Sequence, residues 1–81
     1  MSTNEDRIMY SNNYITVFCQ NVKKIRQRNR LTKKEMARRL RISQYTLNEI
    51  ENGRLTNRVG IDILKRIEEV FSVTVNDQFK A

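Results

Sequence analysis

One stretch of the chain, residues 31–53, constrains the fold more than the rest of the sequence. It reads LTKKEMARRLRISQYTLNEIENG. Thr32 and Glu35 have the spacing of a capping box, in which each residue's side chain accepts a hydrogen bond from the other's amide, and this predicts a helix that begins at Thr32. Ser43 is a favourable N-cap for a following helix, and Gly53 suits the position after that helix because glycine adopts positive φ at little cost. The stretch therefore predicts two short helices in succession.

The connection between these two helices is very short. Leu40 ends the apolar ridge of the first helix, and only Arg41 and Ile42 precede the cap of the second. So tight a connection makes the helices cross at a steep angle, and we expect Ile42 to fill the corner. Ala37 is predicted to lie where the helices come closest, so a larger side chain there should push them apart.

The remainder of the chain also has helical periodicity. It contains no Pro, only two Gly and no sustained alternation of apolar and polar residues. Further helices are predicted over residues 13–29 and 60–71, and a short fifth helix should follow Thr74, which forms a second possible capping box with Asp77. The predicted inward-facing residues outside the turn are Tyr14, Phe18, Val22 and Ile25, then Met36, Leu47 and Ile50, then Leu64, Ile67 and Phe71, with Phe79 at the surface of the core.

Length and composition limit the possible function. A chain of 81 residues forms one small domain that buries only about 60% of its unfolded surface. We divide it into a polar, loosely ordered N-terminal tail, residues 1–13, and a domain over residues 14–81. The sequence has no His and a single Cys, Cys19, so it offers no disulfide, no zinc ligand set and no His-dependent catalytic arrangement. We predict no enzyme activity, no metal and no cofactor, and we assign Cys19 to packing.

The sequence also gives no sign of a membrane or export segment. No stretch approaches the roughly 20 apolar residues of a membrane span. The first 13 residues lack the basic-then-apolar layout of a secretion signal. Cysteine usage suits a reducing compartment, so we expect a cytoplasmic protein that lies beside the nucleoid.

The positive charge is concentrated in one part of the chain. The formal net charge is +7, but residues 23–41 hold ten basic residues against one acid, Glu35, which gives +9 there and −2 over the remaining 62 residues. Such a patch indicates an anionic partner. An ordinary solvated surface is the alternative, and an anionic membrane is less favoured because no basic helix face has Phe or Leu opposite it.

Residues 33–52 resemble the helix-turn-helix of the phage Cro and repressor family, often called XRE-like. The shared features are the small Ala37, Ile42 after the turn, Leu47, and the segment IENG at residues 50–53. The flanking segments VKKIRQRNRLT and ILKRIEEVFSVTVND agree, so the resemblance covers about residues 14–79. It implies an all-α fold, a compact five-helix lambda-repressor-like DNA-binding domain whose second and third helices form the motif.

The chain departs from the family pattern at four places. The family usually has Gly where Arg41 and Ser72 stand, so Arg41 is expected to hold a left-handed backbone at a cost of about 1 kcal/mol. It usually has a small residue in place of Glu68, and a Pro in the loop that here reads RLTNRV. These changes concern packing and leave the exposed residues of the third helix unaffected.

The resemblance also implies which residues meet DNA. In this family the second helix of the motif enters the major groove and its exposed side chains meet base edges. An ordinary solvated helix face is the alternative, but no Lys or Arg occurs between Ile42 and Gly53 although the flanking segments are rich in them. Gln44 and Asn48 suit adenine, Glu49 suits the amino group of cytosine, and Tyr45 suits a thymine methyl or a phosphate. The implied base-reading residues are Ser43, Gln44, Tyr45, Asn48, Glu49 and Asn52, and the implied phosphate-binding residues are Thr32, Lys33, Arg54, Asn57 and Arg58.

Arg26 and Glu51 are predicted to stabilise the fold and not to contact DNA. Arg26 matches the family position whose guanidinium pairs with the acid at the end of the reading helix, here Glu51. We expect a partly buried ion pair that ties the first helix to the third. Loss of one partner of a buried pair typically costs about 3–5 kcal/mol.

The function implied is a sequence-specific transcriptional regulator of double-stranded DNA. The resemblance implies a homodimeric repressor on a pseudo-palindrome with half-sites about 10–10.5 bp apart, paired through the fourth and fifth helices and Phe79. An alternative is an antitoxin-like protein that binds a partner toxin through residues 1–13 and regulates its own operon. Deletion of that tail should then abolish partner binding and spare DNA binding.

Overall fold

The fold consists of successive helices in the parts of the chain that the structure describes. The computed structural model describes the backbone of residues 3–54 and 60–81, and the side chains of residues 14–54 and 60–81. Within those ranges all regular secondary structure is helical, as the sequence predicted. The helices are α1 (Thr3–Arg28), α2 (Lys33–Leu40), α3 (Gln44–Glu51), α4 (Ile61–Phe71) and α5 (Val75–Gln78).

Helix α1 starts earlier than the sequence pattern predicted. It begins at Thr3, ten residues before Asn13, so the backbone of residues 3–13 is helical. The stretch contains neither Pro nor Gly, and a helix that is already nucleated extends by one hydrogen bond per added residue. Whether residues 1–13 act apart from the domain stays a prediction.

The core is a single cluster contributed by the first four helices. Its centre lies where Met36 and Leu40 of α2 meet Leu47 and Ile50 of α3, and all four are fully buried. Burial of one such side chain stabilises the fold by about 1.5–3 kcal/mol. The buried apolar residues are Phe18, Cys19, Val22, Ile25, Met36, Ala37, Leu40, Leu47, Ile50, Ile63 and Ile67.

Two details of the predicted core were wrong. Tyr14 is 52% exposed, and its ring meets the edge of Phe79 at a centroid distance of 6.2 Å. On α4, Ile67 is buried and Leu64 and Phe71 pack partly buried against the core, as predicted, but the buried Ile63 was not predicted. The core face of α4 is therefore wider than the single ridge that the spacing indicated.

Helix α5 is held against α1 by polar and aromatic contacts. Phe79 stacks on Phe18 at 5.2 Å, which confirms its predicted place at the surface of the core. The Asn21 side-chain amide donates to the carbonyls of Gln78 and Lys80, each at 2.8 Å. Gln78 is itself buried and donates from Nε2 to the carbonyl of Leu64 at 2.9 Å, so one side chain links α5 to α4.

The turn between α2 and α3 has the predicted left-handed residue. Arg41 has φ 57° and ψ 43°, and the amide of Ile42 donates to the carbonyl of Ala37 at 3.0 Å, which closes the end of α2. Arg66 of α4 donates from Nη1 to the carbonyl of Leu40 at 3.1 Å. This contact satisfies a carbonyl that the helix itself leaves without a partner. The corner is thus held from outside by α4.

The capping box at the start of α2 is present in full. The Thr32 hydroxyl accepts from the Glu35 amide at 3.1 Å, and Glu35 Oε1 accepts from the Thr32 amide at 2.8 Å. The hydrogen bond from the Thr32 amide is the main reason that the pKa of Glu35 lies below its ordinary value, and the Thr32 hydroxyl adds to it. The box is therefore strongest when Glu35 is ionised.

This shift predicts a specific loss of stability in acid. Because the folded-state pKa of Glu35 is lowered, its contribution is fully present above the unfolded value of about 4.3 and disappears as pH falls through the lower, folded value. We expect Glu35→Gln to lose less unfolding free energy than wild type between pH 7 and pH 3 in urea titrations. Glu68→Gln, at an exposed acid on α4, is the matched control. Equal acid sensitivity of wild type and Glu35→Gln would contradict the assignment.

Candidate nucleic-acid interface

Helix α3 presents a polar face to solvent. Its buried side carries Leu47 and Ile50, and opposite them Gln44 is exposed and Tyr45 is 67% exposed. Ser43 and Asn52, at the two ends of the helix, are also exposed, whereas Asn48 and Glu49 are half-buried. None of the six predicted base-reading residues lies in the core.

Ser43 has a local role that competes with base reading. Its hydroxyl accepts from the Thr46 amide at 3.0 Å, which makes it the N-cap of α3, and it also donates to Thr46 Oγ1 at 2.9 Å. Replacement of an N-cap serine by alanine costs about 1 kcal/mol. Ser43 would have to release the Thr46 hydroxyl before it could donate to a base.

The start of α2 leaves two backbone donors available. The capping box occupies the amides of Thr32 and Glu35. The amides of Lys33 and Lys34, in the same turn, have no acceptor among the residues that the structure describes. Such amides, at the positive end of a helix, are suited to phosphate oxygens. The backbone amides available to a phosphate are thus those of Lys33 and Lys34, and the amide of the predicted Thr32 is occupied by Glu35.

Two of the predicted phosphate-binding residues contact predicted base-reading residues. Lys33 Nζ donates to Asn48 Oδ1 at 2.8 Å, across the gap between α2 and α3. At the next residue of α3, Glu49 Oε2 pairs with Arg54 Nη1 at 3.3 Å. The contact between Lys33 and Asn48 is not indicated by the local sequence pattern, because 15 residues separate them.

The Arg26–Glu51 pair ties α1 to α3. Arg26 Nε donates to Glu51 Oε2 at 2.7 Å and Nη2 donates to Oε1 at 3.0 Å, which is the strong two-bond geometry of guanidinium with carboxylate. The Arg26 side chain is 14% exposed and that of Glu51 is 3% exposed. The hydrogen bonds to Glu51 raise the pKa of Arg26 above its ordinary value. A third bond, from Arg26 Nη1 to the carbonyl of Leu31 at 3.2 Å, extends the contact to the segment that precedes α2.

Further cations surround the start of the motif. Arg28, Arg30, Lys34 and Arg38 are exposed on α1, on α2 and in the turn between them. Arg30 has φ 56°, a left-handed conformation that the sequence analysis did not anticipate. Asn57 and Arg58, the other predicted phosphate-binding residues, lie outside the described residues.

The described ranges contain no group of three or more His, Cys, Asp or Glu side chains placed to hold a metal ion. Cys19 is 2% exposed, and burial raises the pKa of its thiol, as expected for a packing residue.

Among the helices of the described ranges, none combines the length and the apolar character needed to cross a membrane.

Comparison with known proteins assigns the family. No curated protein and no solved structure is similar enough to the chain to count as a match. A family model described as Helix-turn-helix matches residues 22–78, which is more than half of the 81 residues and includes all of α2 and α3. The chain therefore belongs to the XRE-like helix-turn-helix family of DNA-binding transcription regulators.

Proposed function

We propose that the protein is a homodimeric repressor that reads a pseudo-palindromic operator through the major groove. The observation that carries this proposal is the exposed face of α3, which is polar and free of Lys and Arg. Lys33 and Arg54 border that face, where they contact the neighbouring residues Asn48 and Glu49. Members of this family regulate transcription by binding DNA and are not enzymes.

The base-reading role is best supported for the first turn of α3. Gln44 and Tyr45 are exposed there, and an amide side chain can bond bidentately to adenine while a phenol ring can contact a thymine methyl. Asn48 and Glu49 lie one turn further along and are partly covered by their cationic partners. Asn52 follows the helix as its C-cap and is the most distant member of the set.

Phosphate contacts would set the register of α3 without specifying sequence. The available amides of Lys33 and Lys34 and the exposed cations on both sides of α2 support binding to the phosphates of one DNA strand. Arg54 is 69% exposed on its side chain and held loosely by Glu49, so it is placed to turn toward a phosphate beyond the other end of α3.

We assign a second copy of the chain to the surface between α1 and α5, which keeps the predicted Phe79 and the fifth helix but replaces the fourth helix by the first. Tyr14, Ile15, Val75, Asn76 and Phe79 line a mostly apolar groove of about 670 Å³. One reading helix offers a small contact area. A second reading helix in the same dimer raises the affinity for DNA with two half-sites by about 10²-fold or more. Pairing through this groove would cover Tyr14 and Phe79, and occupation of a promoter by the pair would repress it sterically.

Selection of bound sequences from a random DNA pool tests the proposal. We expect a common word repeated in inverted orientation, with half-site centres about 10–10.5 bp apart. Recovery of a single, non-repeated word would refute the homodimer, and a pool without any common word would refute sequence-specific binding. Tyr14→Ser is the matched variant for the groove, and it should lower the fraction of dimer in sedimentation experiments.

Gln44→Ala and Lys34→Ala are expected to affect binding in different ways. Gln44→Ala removes a base contact, so it should relax the preference at one position of the half-site by about 1–3 kcal/mol. Lys34→Ala removes one exposed charge, so it should weaken binding evenly across sequences and lower the salt slope by about 1 per subunit. The measurement is a set of binding curves on single-base variants of the selected site. If both variants weaken all sites by the same factor, Gln44 is not a reader.

A further inference from the structure

We propose that Lys33 and Asn48 form one hydrogen-bond-donating unit that reads guanine in the major groove. This inference rests on the proposed function, because it requires α3 to lie in that groove. It assigns a specificity-determining role to Lys33, which the sequence analysis placed among the phosphate-binding residues. It also changes the base expected for Asn48 from adenine to guanine.

The positions of both side chains are set by the fold. Lys33 is the first residue of α2, directly after the Thr32 cap, and Asn48 lies on α3 next to the buried Leu47. Leu40 of α2 and Leu47 of α3 are fully buried in the same core cluster, which holds the two helices together. The 2.8 Å bond from Lys33 Nζ to Asn48 Oδ1 therefore joins side chains of two helices whose backbones are held by the core.

The hydrogen-bonding capacity of the pair determines which base it suits. An asparagine side chain recognises adenine by accepting from N6 and donating to N7, which requires its oxygen. Here one of the two lone pairs of Asn48 Oδ1 accepts from the Lys33 ammonium, which is a donor only, so a positive charge lies beside the oxygen that would have to accept from adenine N6. The unit therefore presents the remaining ammonium N–H groups and the Asn48 amide N–H groups. Guanine offers two acceptors, O6 and N7, whereas the amino group of adenine would face a cation.

A role for Lys33 in phosphate binding alone is the competing explanation. In that case Lys33 would act only as a charge and would contribute equally at every sequence. Lys34 provides a matched control because it is the next residue of the same helix turn and carries the same charge on an exposed side chain. A comparison of the two lysines separates loss of charge from loss of the contact with Asn48.

The test uses the full chain and four variants, Lys33→Met, Lys34→Met, Asn48→Ala and the double variant Lys33→Met/Asn48→Ala. Each is first used to select sequences from a random DNA pool, and its binding is then measured on the selected site with guanine, adenine or 7-deazaguanine at each position. We expect the wild-type site to contain one guanine per half-site at which adenine weakens binding by about 5- to 150-fold. The 7-deaza base lacks the N7 acceptor, so it should weaken wild-type binding at that same position.

Lys33→Met should remove the preference for that guanine and become insensitive to 7-deazaguanine, and it should accept adenine because no cation then lies beside Asn48 Oδ1. Asn48→Ala should lose the same preference, and the double variant should lose no more than either single one. Lys34→Met should keep it and weaken all sites evenly. Because Lys33 and Lys34 are exposed, circular dichroism should show unchanged helix content in both lysine variants.

The outcomes that overturn the inference differ from those that overturn the proposed function. A recovered site whose base preferences are unchanged in Lys33→Met, with an even loss of affinity, would show that Lys33 serves phosphate only. A position that prefers adenine in wild type and changes in Asn48→Ala would also refute the guanine assignment. Failure of the wild-type chain to recover any common word would refute both this inference and the sequence-specific function on which it rests.

Discussion

Arg26→Met should lower the free energy of unfolding by about 3–5 kcal/mol, because it leaves Glu51 as a buried carboxylate without its partner. The Glu51 side chain is 3% exposed and accepts two hydrogen bonds from Arg26, so water cannot readily replace the guanidinium. Domains of this size are typically stable by about 5–15 kcal/mol. The variant should therefore be largely unfolded or melt far below wild type, as measured by urea titration or by thermal unfolding followed by circular dichroism.

Two controls make this result specific to the ion pair. Arg28→Met removes the same charge from the same helix at an exposed position and should change stability by about 0.5 kcal/mol or less. The double variant Arg26→Met/Glu51→Met removes both charges, and apolar replacement of a complete buried pair is often close to neutral. Equal, small effects of Arg26→Met and Arg28→Met would show that the pair does not stabilise the fold.

DNA binding should weaken by roughly 10²- to 10⁵-fold when monovalent salt rises from 50 to 200 mM. Each phosphate neutralised contributes a slope of about −0.9 to the dependence of log K on log salt, and we expect a total slope of roughly −4 to −9 for a dimer. The physical basis is the concentration of exposed cations on the described parts of α1 and α2 that border the reading helix.

Binding curves at four or five salt concentrations on the selected operator check this prediction. Lys34→Met supplies the internal standard, since it should reduce the magnitude of the slope by about 1 per subunit without changing the selected word. A nearly flat response to salt would mean that the basic segment does not face the phosphates, whatever the base preference of α3.

The elements that the sequence predicted correctly are those that depend on neighbouring residues. The Thr32–Glu35 box and the Ser43 cap each join residues three positions apart, so their spacing is visible in the sequence. The left-handed Arg41 was expected because the family usually has glycine at that position, and it is found with φ 57° and ψ 43°.

The features that were missed depend on distant residues or on the absence of a signal. Ile63 is buried because α4 packs on α2, and the position of that contact cannot be read from the spacing within α4. Helix α1 continues to Thr3 through residues whose apolar positions have no clear period, so its start could not be located. The Lys33–Asn48 contact joins two helices whose crossing is set by the whole core.

The three non-glycine residues with positive φ in the described chain, Arg30, Arg41 and Ser72, have a practical consequence. Each holds a conformation that is unfavourable for a residue with a Cβ by roughly 1 kcal/mol. Ser72 closes α4, and in the chain it lies well outside the segment that carries the reading helix. Glycine at position 72 would relieve this strain and should raise the melting temperature. Because the position is separate in sequence from the reading face, the change should not alter which DNA the protein binds.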